Sequence, residues 1–167
     1  MSRCSIRESA EKDGVRAVAR AQTLTVLRRL DGERKGAVVR FLRESALIDT
    51  DTPIVGLRGA DLTAADFRQA NLTEANLEGA NLTGANLTLA DLIKANLTGA
   101  NLTKANLGGA YLTGANLTLA DLTQANLESV GLRGTNLRYA QGTTPEQLEE
   151  QAIVLKGATM PDGTTHS

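Results

Sequence analysis

From residue 57 to residue 137 an apolar side chain recurs at every fifth position, as in ANLTGANLTKANLGGAYLTGANLTLADL at 95–122. This spacing excludes both regular elements. On an α-helix, at about 100° per residue, successive centres rotate by about 140° and leave no apolar stripe. On a straight strand an odd period sends alternate centres to opposite faces. Only a chain that turns once per five residues presents every centre to one side. A fixed repeat of that kind is a solenoid.

Seventeen such centres follow one another: Leu57, Leu62, Phe67, Leu72, Leu77, Leu82, Leu87, Leu92, Leu97, Leu102, Leu107, Leu112, Leu117, Leu122, Leu127, Leu132 and Leu137. They form the expected structural core, with Leu filling the solenoid axis. Two residues before each stands Ala, where adjacent backbone runs leave room for little more. The exceptions are Val55, Val130 and Thr135, all in terminal repeats, where packing is expected to relax. The intervening Asn or Asp points outward and is suited to bonding the backbone of a turn. A buried Leu contributes on the order of 1.5–3 kcal/mol. Ordering its five residues costs roughly 1–2 kcal/mol each in backbone entropy. One repeat therefore cannot fold alone, and stacked coils with closed ends are required.

The tandem A[DN]Lxx pattern resembles the pentapeptide-repeat proteins. The resemblance implies an all-β solenoid, a right-handed quadrilateral β-helix with four repeats per coil. Seventeen repeats would then make a little over four coils, a column roughly 20 Å tall. The segment before the repeats is similar to the helical leader of some bacterial and cyanobacterial members. Three regions are expected: a helical N-terminal segment and cap at 1–54, the β-helix at 55–140, and a C-terminal capping helix and tail at 141–167.

At the N-terminal end, residues 5–30 carry Val15, Val18, Ala19, Val26, Leu27 and Leu30 among charges, an amphipathic helical pattern. LDGE at 30–33 breaks it, with Asp31 as N-cap of a second helix over about 33–45 that turns Val38, Val39, Leu42 and Ala46 to one side. This second helix is expected to lid the first coil, because an open β-helix end exposes unpaired edges and an apolar axis. The first helix is free to pack on the column, dimerise or dock a partner. At the other end, TTPEQ at 143–147 has Thr144 as N-cap, Pro145 in the first turn and Gln147 at capping-box spacing. A short helix to about Ala152 follows. Leu155 and Met160, with Ala158 between, suggest one degenerate coil after it, and PDGTTHS reads as a frayed tail.

Catalytic chemistry finds no foothold. A nucleophile needs an adjacent base, yet Cys4 and His166, the single cysteine and single histidine, lie at opposite ends of the chain. Metal binding needs clustered ligands, and the repeat carboxylates Asp61, Asp66, Glu74, Glu78, Asp91, Asp121 and Glu128 are dispersed. We expect no enzyme, no metal and no cofactor. The net charge of −1 divides as +3 over 1–54, −1 over 55–139 and −3 over 140–167, too little to point to nucleic acid or an anionic membrane. No segment approaches the ~18 apolar residues of a membrane span. A lone cysteine and an opening without an apolar signal region point to the cytoplasm. So do six Asn-Leu-Thr glycosylation acceptors, at Asn71, Asn81, Asn86, Asn96, Asn101 and Asn116, which would be odd on a secreted scaffold.

Function is therefore expected in outward side chains on a rigid column. Leu89, Ile93, Leu119 and Tyr139 occupy outward slots, and Tyr111 replaces the usual Asn. On a four-sided wrap Ile93 and Tyr111 share a face on adjacent coils, with Leu89 at the neighbouring corner. Leu89, Ile93 and Tyr111 are thus a candidate partner-binding patch. The expected function is a protein-interaction scaffold for an unknown protein partner, a monomer or weak homodimer through the first helix. The family resemblance supplies the alternative, a DNA-mimicking inhibitor or protector of a type II topoisomerase. Such mimicry uses length, dimerisation and strong negative potential, whereas these repeats are short and nearly neutral.

Overall fold

The computed structural model describes residues 3–48 and 55–167, with side chains described from residue 13 onward. Each pentapeptide makes one side of a coil. The Leu carbonyl accepts a hydrogen bond from the Ala N–H three residues on, as from Ala95 to Leu92 at 3.0 Å, closing a β-turn at each corner. The third residue of that turn has positive φ at every corner from Gly59 to Tyr139, the pattern of a type II turn. Consecutive coils are joined by parallel ladders. The Leu97 N–H donates to the Asn116 carbonyl at 2.7 Å, and the Asn116 N–H donates to the Ala95 carbonyl at 2.9 Å. Bridges such as Asn76↔Asn96↔Asn116↔Asn136 run at intervals of 20 residues, so four repeats complete a coil. The column is a right-handed, four-sided β-helix. We number its walls by the first centre on each: one (Leu57), two (Leu62), three (Phe67) and four (Leu72).

All seventeen centres point into the axis, and none is more than 3% exposed. The expected relaxation at the exceptional Ala slots does not occur. Val55, Val130 and Thr135 are as buried as their neighbours, and the Thr135 hydroxyl donates to the Leu112 carbonyl at 2.7 Å. The hydroxyl is tolerated there because it finds a backbone acceptor.

Helix α1 spans Arg3–Leu27 and α2 spans Gly32–Glu44. Asp31 caps α2 by accepting from the Arg34 N–H at 2.9 Å. The Gly32 carbonyl accepts from the Asp66 N–H at 2.9 Å, the bond an Ala carbonyl of a preceding coil would otherwise make. The start of α2 thus substitutes for a missing coil. A Cβ at Gly32 would run into the Ala64 carbonyl and one at Gly36 into the Asp66 carbonyl, so this approach requires glycine. Val39 and Leu42 are buried in the core, while Ala46, expected on the same side, is exposed beyond the helix end. Lys35 is 5% exposed, its ammonium donating to Asp61 Oδ1 at 3.3 Å and the Thr63 carbonyl at 3.1 Å.

The expected apolar stripe of α1 divides. Leu27 is fully buried and Ala19 and Leu24 pack partly on the core, but Val15, Val18 and Val26 point outward. The C-terminal half of α1 therefore packs on the column, pinned by Arg20, whose guanidinium donates to the Arg58 carbonyl at 2.7 Å.

At the far end α3 spans Pro145–Gln151, with both bonds of the Thr144/Gln147 capping box in place. Its Leu148 is fully buried and closes the axis. The helix is an insertion rather than an end. Val154 pairs with Gly131 and Thr159 with Asn136, each 23 residues apart instead of 20, and Leu155, Ala158 and Met160 are buried in the resumed coil. The tail is not frayed, because it folds back on that coil. Thr165 pairs antiparallel with Thr159, and the His166 N–H donates to the Ala158 carbonyl at 2.9 Å. Residues 141–167 are thus part of the column rather than an appendage to it.

Candidate docking surface

The outward Asn or Asp of each repeat has a constant structural task. Its Oδ1 accepts from the backbone N–H two residues on, as Asn71 does from Thr73 at 3.0 Å and Asn96 from Thr98 at 3.1 Å. Walls one, two and three keep Asn, Asp or, once, Gln in this slot from Asp61 to Gln141. Wall four begins the same way with Asn71 and Asp91, then runs Tyr111, Gly131 and Val154 on successive coils. There the polar ladder gives way to apolar surface.

The structure places the three candidate residues together. Tyr111 pairs with Asp91, so Ile93 stands on the coil just before it on the same wall, half-buried. Leu89 sits at the corner between walls three and four, and its Cδ2 lies so close to Gly109 that a Cβ there would fall 2.8 Å from it. The glycine leaves the leucine room to lie along the corner. Leu89 is 46% and Tyr111 50% exposed, so the helices do not cover them. Gly131 is buried, and a Cβ there would come into ordinary contact with Val154 Cγ1 at 3.9 Å.

Two apolar residues of this surface escaped the sequence wrap. Ile153 is 69% exposed and Val154 extends the strip by one coil. The 23-residue step around α3 displaces them from the 20-residue register. The spacing of Leu155 and Met160 was the available signal, since it puts Val154 in the Asn slot. Arg133 and Lys156, exposed, stand beside the strip on consecutive coils, and neither makes an ion pair among the described residues. The coils of wall four that hold Tyr111, Gly131 and Val154 carry no carboxylate. Lower on the wall Lys94 pairs with Glu74 at 3.6 Å.

Around the corner from Leu89, a cleft of about 460 Å³ opens between α2 and wall three, lined by Glu33, Arg40, Asp66, Arg68, Gln69, Thr88 and Leu89. Arg68 grips Asp66 through Nε–Oδ1 at 2.9 Å and Nη2–Oδ2 at 2.7 Å. That hydrogen bonding lowers the Asp66 pKa from 3.8 to about 2. For Asp61, burial works upward but the hydrogen bonds from Thr63 and Lys35 prevail, and its pKa is lowered. Two cations and two anions balance the cleft. Leu119 and Tyr139 occupy the same corner slot, between walls one and two, on consecutive coils away from the strip, with the Arg138 guanidinium 5.0 Å from the Tyr139 ring centre. His166 Nε2 lies 3.8 Å from Glu149 Oε1, and its Nδ1 is buried without a partner. The Cys4 side chain is outside the described set.

The repeats match the family model described as pentapeptide repeats, in overlapping stretches 57–88, 70–109, 90–128 and 100–138. The chain is also 34% identical to alr5209, a pentapeptide repeat protein from Nostoc PCC 7120. That match covers 57% of this chain and 85% of alr5209, with a TM-score of 0.50. The chain belongs to the pentapeptide-repeat family. Among other pentapeptide-repeat structures it is 34% identical to Rfr23 from the cyanobacterium Cyanothece 51142, over 71% of this chain and 68% of that one, at a TM-score of 0.46. It is also 34% identical to HetL, a pentapeptide-repeat protein involved in heterocyst differentiation regulation in Nostoc sp. strain PCC 7120. There the coverage is 69% and 68%, at a TM-score of 0.33. No curated protein sequence matches the chain.

Proposed function

We propose that this pentapeptide-repeat protein is a non-enzymatic scaffold that docks a protein partner on wall four. One observation carries the reading: the outward polar ladder is kept on three walls and is replaced on the fourth, over successive coils, by Tyr111, Gly131 and Val154 beside Ile93 and Leu89. Nothing in the column's own hydrogen bonding requires that replacement at Tyr111 or Gly131, since the same slot holds Asn on the neighbouring walls at their height, Asn106 and Asn116 for the first and Asn126 and Asn136 for the second. An exposed apolar strip rimmed by polar residues is a surface suited to association. Family membership supports the non-enzymatic part, because pentapeptide-repeat proteins are generally interaction scaffolds.

Topoisomerase-directed DNA mimicry draws no support from the walls. Within 55–139, wall one carries a net +1, walls two and three −1 each and wall four 0, so no wall gathers carboxylates. We place the scaffold in the cytoplasm on the strength of its lone cysteine and its repeated glycosylation acceptors; membrane and periplasmic fractionation of the native host would test that placement.

The docking reading is tested by affinity capture from a bacterial lysate with two baits, the full chain and L89T/I93T/Y111T. The expected result is a protein captured stoichiometrically by the first and lost with the second, while circular dichroism and melting of the variant match the parent. Equal capture by both baits would move the docking surface off wall four.

A further inference from the structure

The strip on wall four is graded along the column axis, and the gradient carries information about its ligand. At the N-terminal end lie Leu89 and Ile93, with Tyr111 on the next coil. Toward the C-terminal end the strip continues through Gly131 to Val154, and Arg133 and Lys156 rise beside it on consecutive coils. Hydrogen bonds from the Leu132 N–H to the Val154 carbonyl at 2.9 Å and from the Gly134 N–H to the Lys156 carbonyl at 3.0 Å fix these two coils in register. Neither cation is neutralised within the described structure, and the wall has no carboxylate at their height. Lower on the same wall the one cation, Lys94, is already paired with Glu74. The free positive charge is therefore confined to one end of an apolar strip.

Resting on the docking reading of this wall, we infer that the ligand is an extended segment of a partner protein. Its apolar side chain would lie over Leu89, Ile93 and Tyr111, and its carboxylates would meet Arg133 and Lys156. Charge complementarity selects the acid, because an opposite charge is the strongest complement to two unpaired cations beside apolar surface. The dimensions select an extended segment. From Ile93 to Lys156 the strip crosses three inter-coil steps, about 14 Å at ~4.8 Å each, which about four extended residues span. Nucleic acid fits less well. Two cations neutralise few phosphates, and Tyr111 is the one ring of the strip on which a base could stack, with the aliphatic Leu89, Ile93 and Val154 around it.

The test selects phage-displayed random short peptides on the immobilised full chain. Enriched sequences are synthesised and titrated by fluorescence anisotropy against three proteins shown folded by circular dichroism: the parent, I93T/Y111T and R133E/K156E. The expected peptides carry Asp or Glu a few residues from an aromatic or aliphatic side chain. Their affinity falls about tenfold or more on either variant. Replacing their acids by Lys restores binding to R133E/K156E. Peptides that need Ile93 and Tyr111 but lack acids, and bind R133E/K156E as well as the parent, would overturn the acidic ligand and leave the docking reading standing. Enriched peptides indifferent to I93T/Y111T, or no enrichment at all, would overturn both. A fluorescent single-stranded oligonucleotide that bound the parent tightly and lost affinity on R133E/K156E would overturn the protein ligand in favour of nucleic acid.

Discussion

At the scale of single residues the column is a set of slots, each with one physical demand. The axis demands an apolar side chain without branching at Cβ, and the slot two before it demands little volume. The outward polar slot demands an acceptor that reaches the N–H two residues on. Those demands are local and chemical, so they were legible in the sequence: Leu, Ala and Asn recur because each is the simplest answer. The corner is different. Its residue has positive φ throughout, yet the slot holds Gly at Gly99 and Gly114 but Lys at Lys104 and Leu at Leu119. No residue type announces the conformation, because the type II turn and the two ladders impose it. A Cβ at Gly99 would touch nothing within 4 Å. Gly99→Ala therefore isolates the left-handed backbone penalty from any clash, and we expect a loss of about 1 kcal/mol in stability by urea denaturation. A neutral or stabilising result would mean that the coil geometry absorbs the penalty at its corners.

At the scale of elements, legibility followed the range of the signal. Helices α2 and α3 were readable to within a residue or so because their starts are written locally, in Asp31 and in Thr144, Pro145 and Gln147. The buried face of α1 was not. The column reaches only its C-terminal half, so Val15 and Val18 go outward although their spacing is as helical as that of Leu24 and Leu27. The folded-back tail was equally hidden, since its antiparallel pairing with Thr159 depends on where a coil ends in space. The junction of α2 with wall three also carries the clearest pH dependence. The Asp66 carboxylate, gripped by Arg68, has a pKa lowered from 3.8 to about 2. A lowered carboxylate pKa stabilises the native state above the unfolded value and loses that contribution as pH falls through the folded one. The melting temperature should accordingly decline between about pH 4 and pH 2. Asp66→Asn keeps the Oδ1 that accepts from the Arg68 N–H at 3.2 Å but removes the charge. Its decline over that window should be shallower and its melting temperature near pH 7 lower. Parallel curves for the two proteins would show that the Asp66–Arg68 pair contributes nothing to acid sensitivity.

At the scale of the whole molecule, a solenoid is finite only if something stops it. Each coil offers its neighbour a full set of unpaired backbone groups and an apolar axis, so an uncapped column is a template for a second copy. Here Leu27, Val39 and Leu42 close one mouth, and Leu148 with the folded-back tail closes the other. The two caps differ in how they are held. The first is keyed by Gly32 and Gly36 against backbone carbonyls and by the buried Lys35, whereas the second joins a seven-residue helix with one buried side chain to the resumed coil and the tail folded back on it. Of the two capping helices α3 is therefore the more weakly held, with one buried residue against four in α2. Leu148→Asp places a carboxylate where no partner awaits it, a burial costing several kcal/mol, and the helix should leave its seat instead. Because coils contact only their neighbours, the earlier ones should stay folded when the last is disturbed. We expect the variant to keep the β-helical circular dichroism of the parent while light scattering shows masses above the 17.6 kDa chain that rise with concentration. If it stays at the parent's mass with the helix released, then the resumed coil through Leu155 and Met160, together with the hairpin that covers it, is the effective stop, and α3 merely spans the gap in wall three.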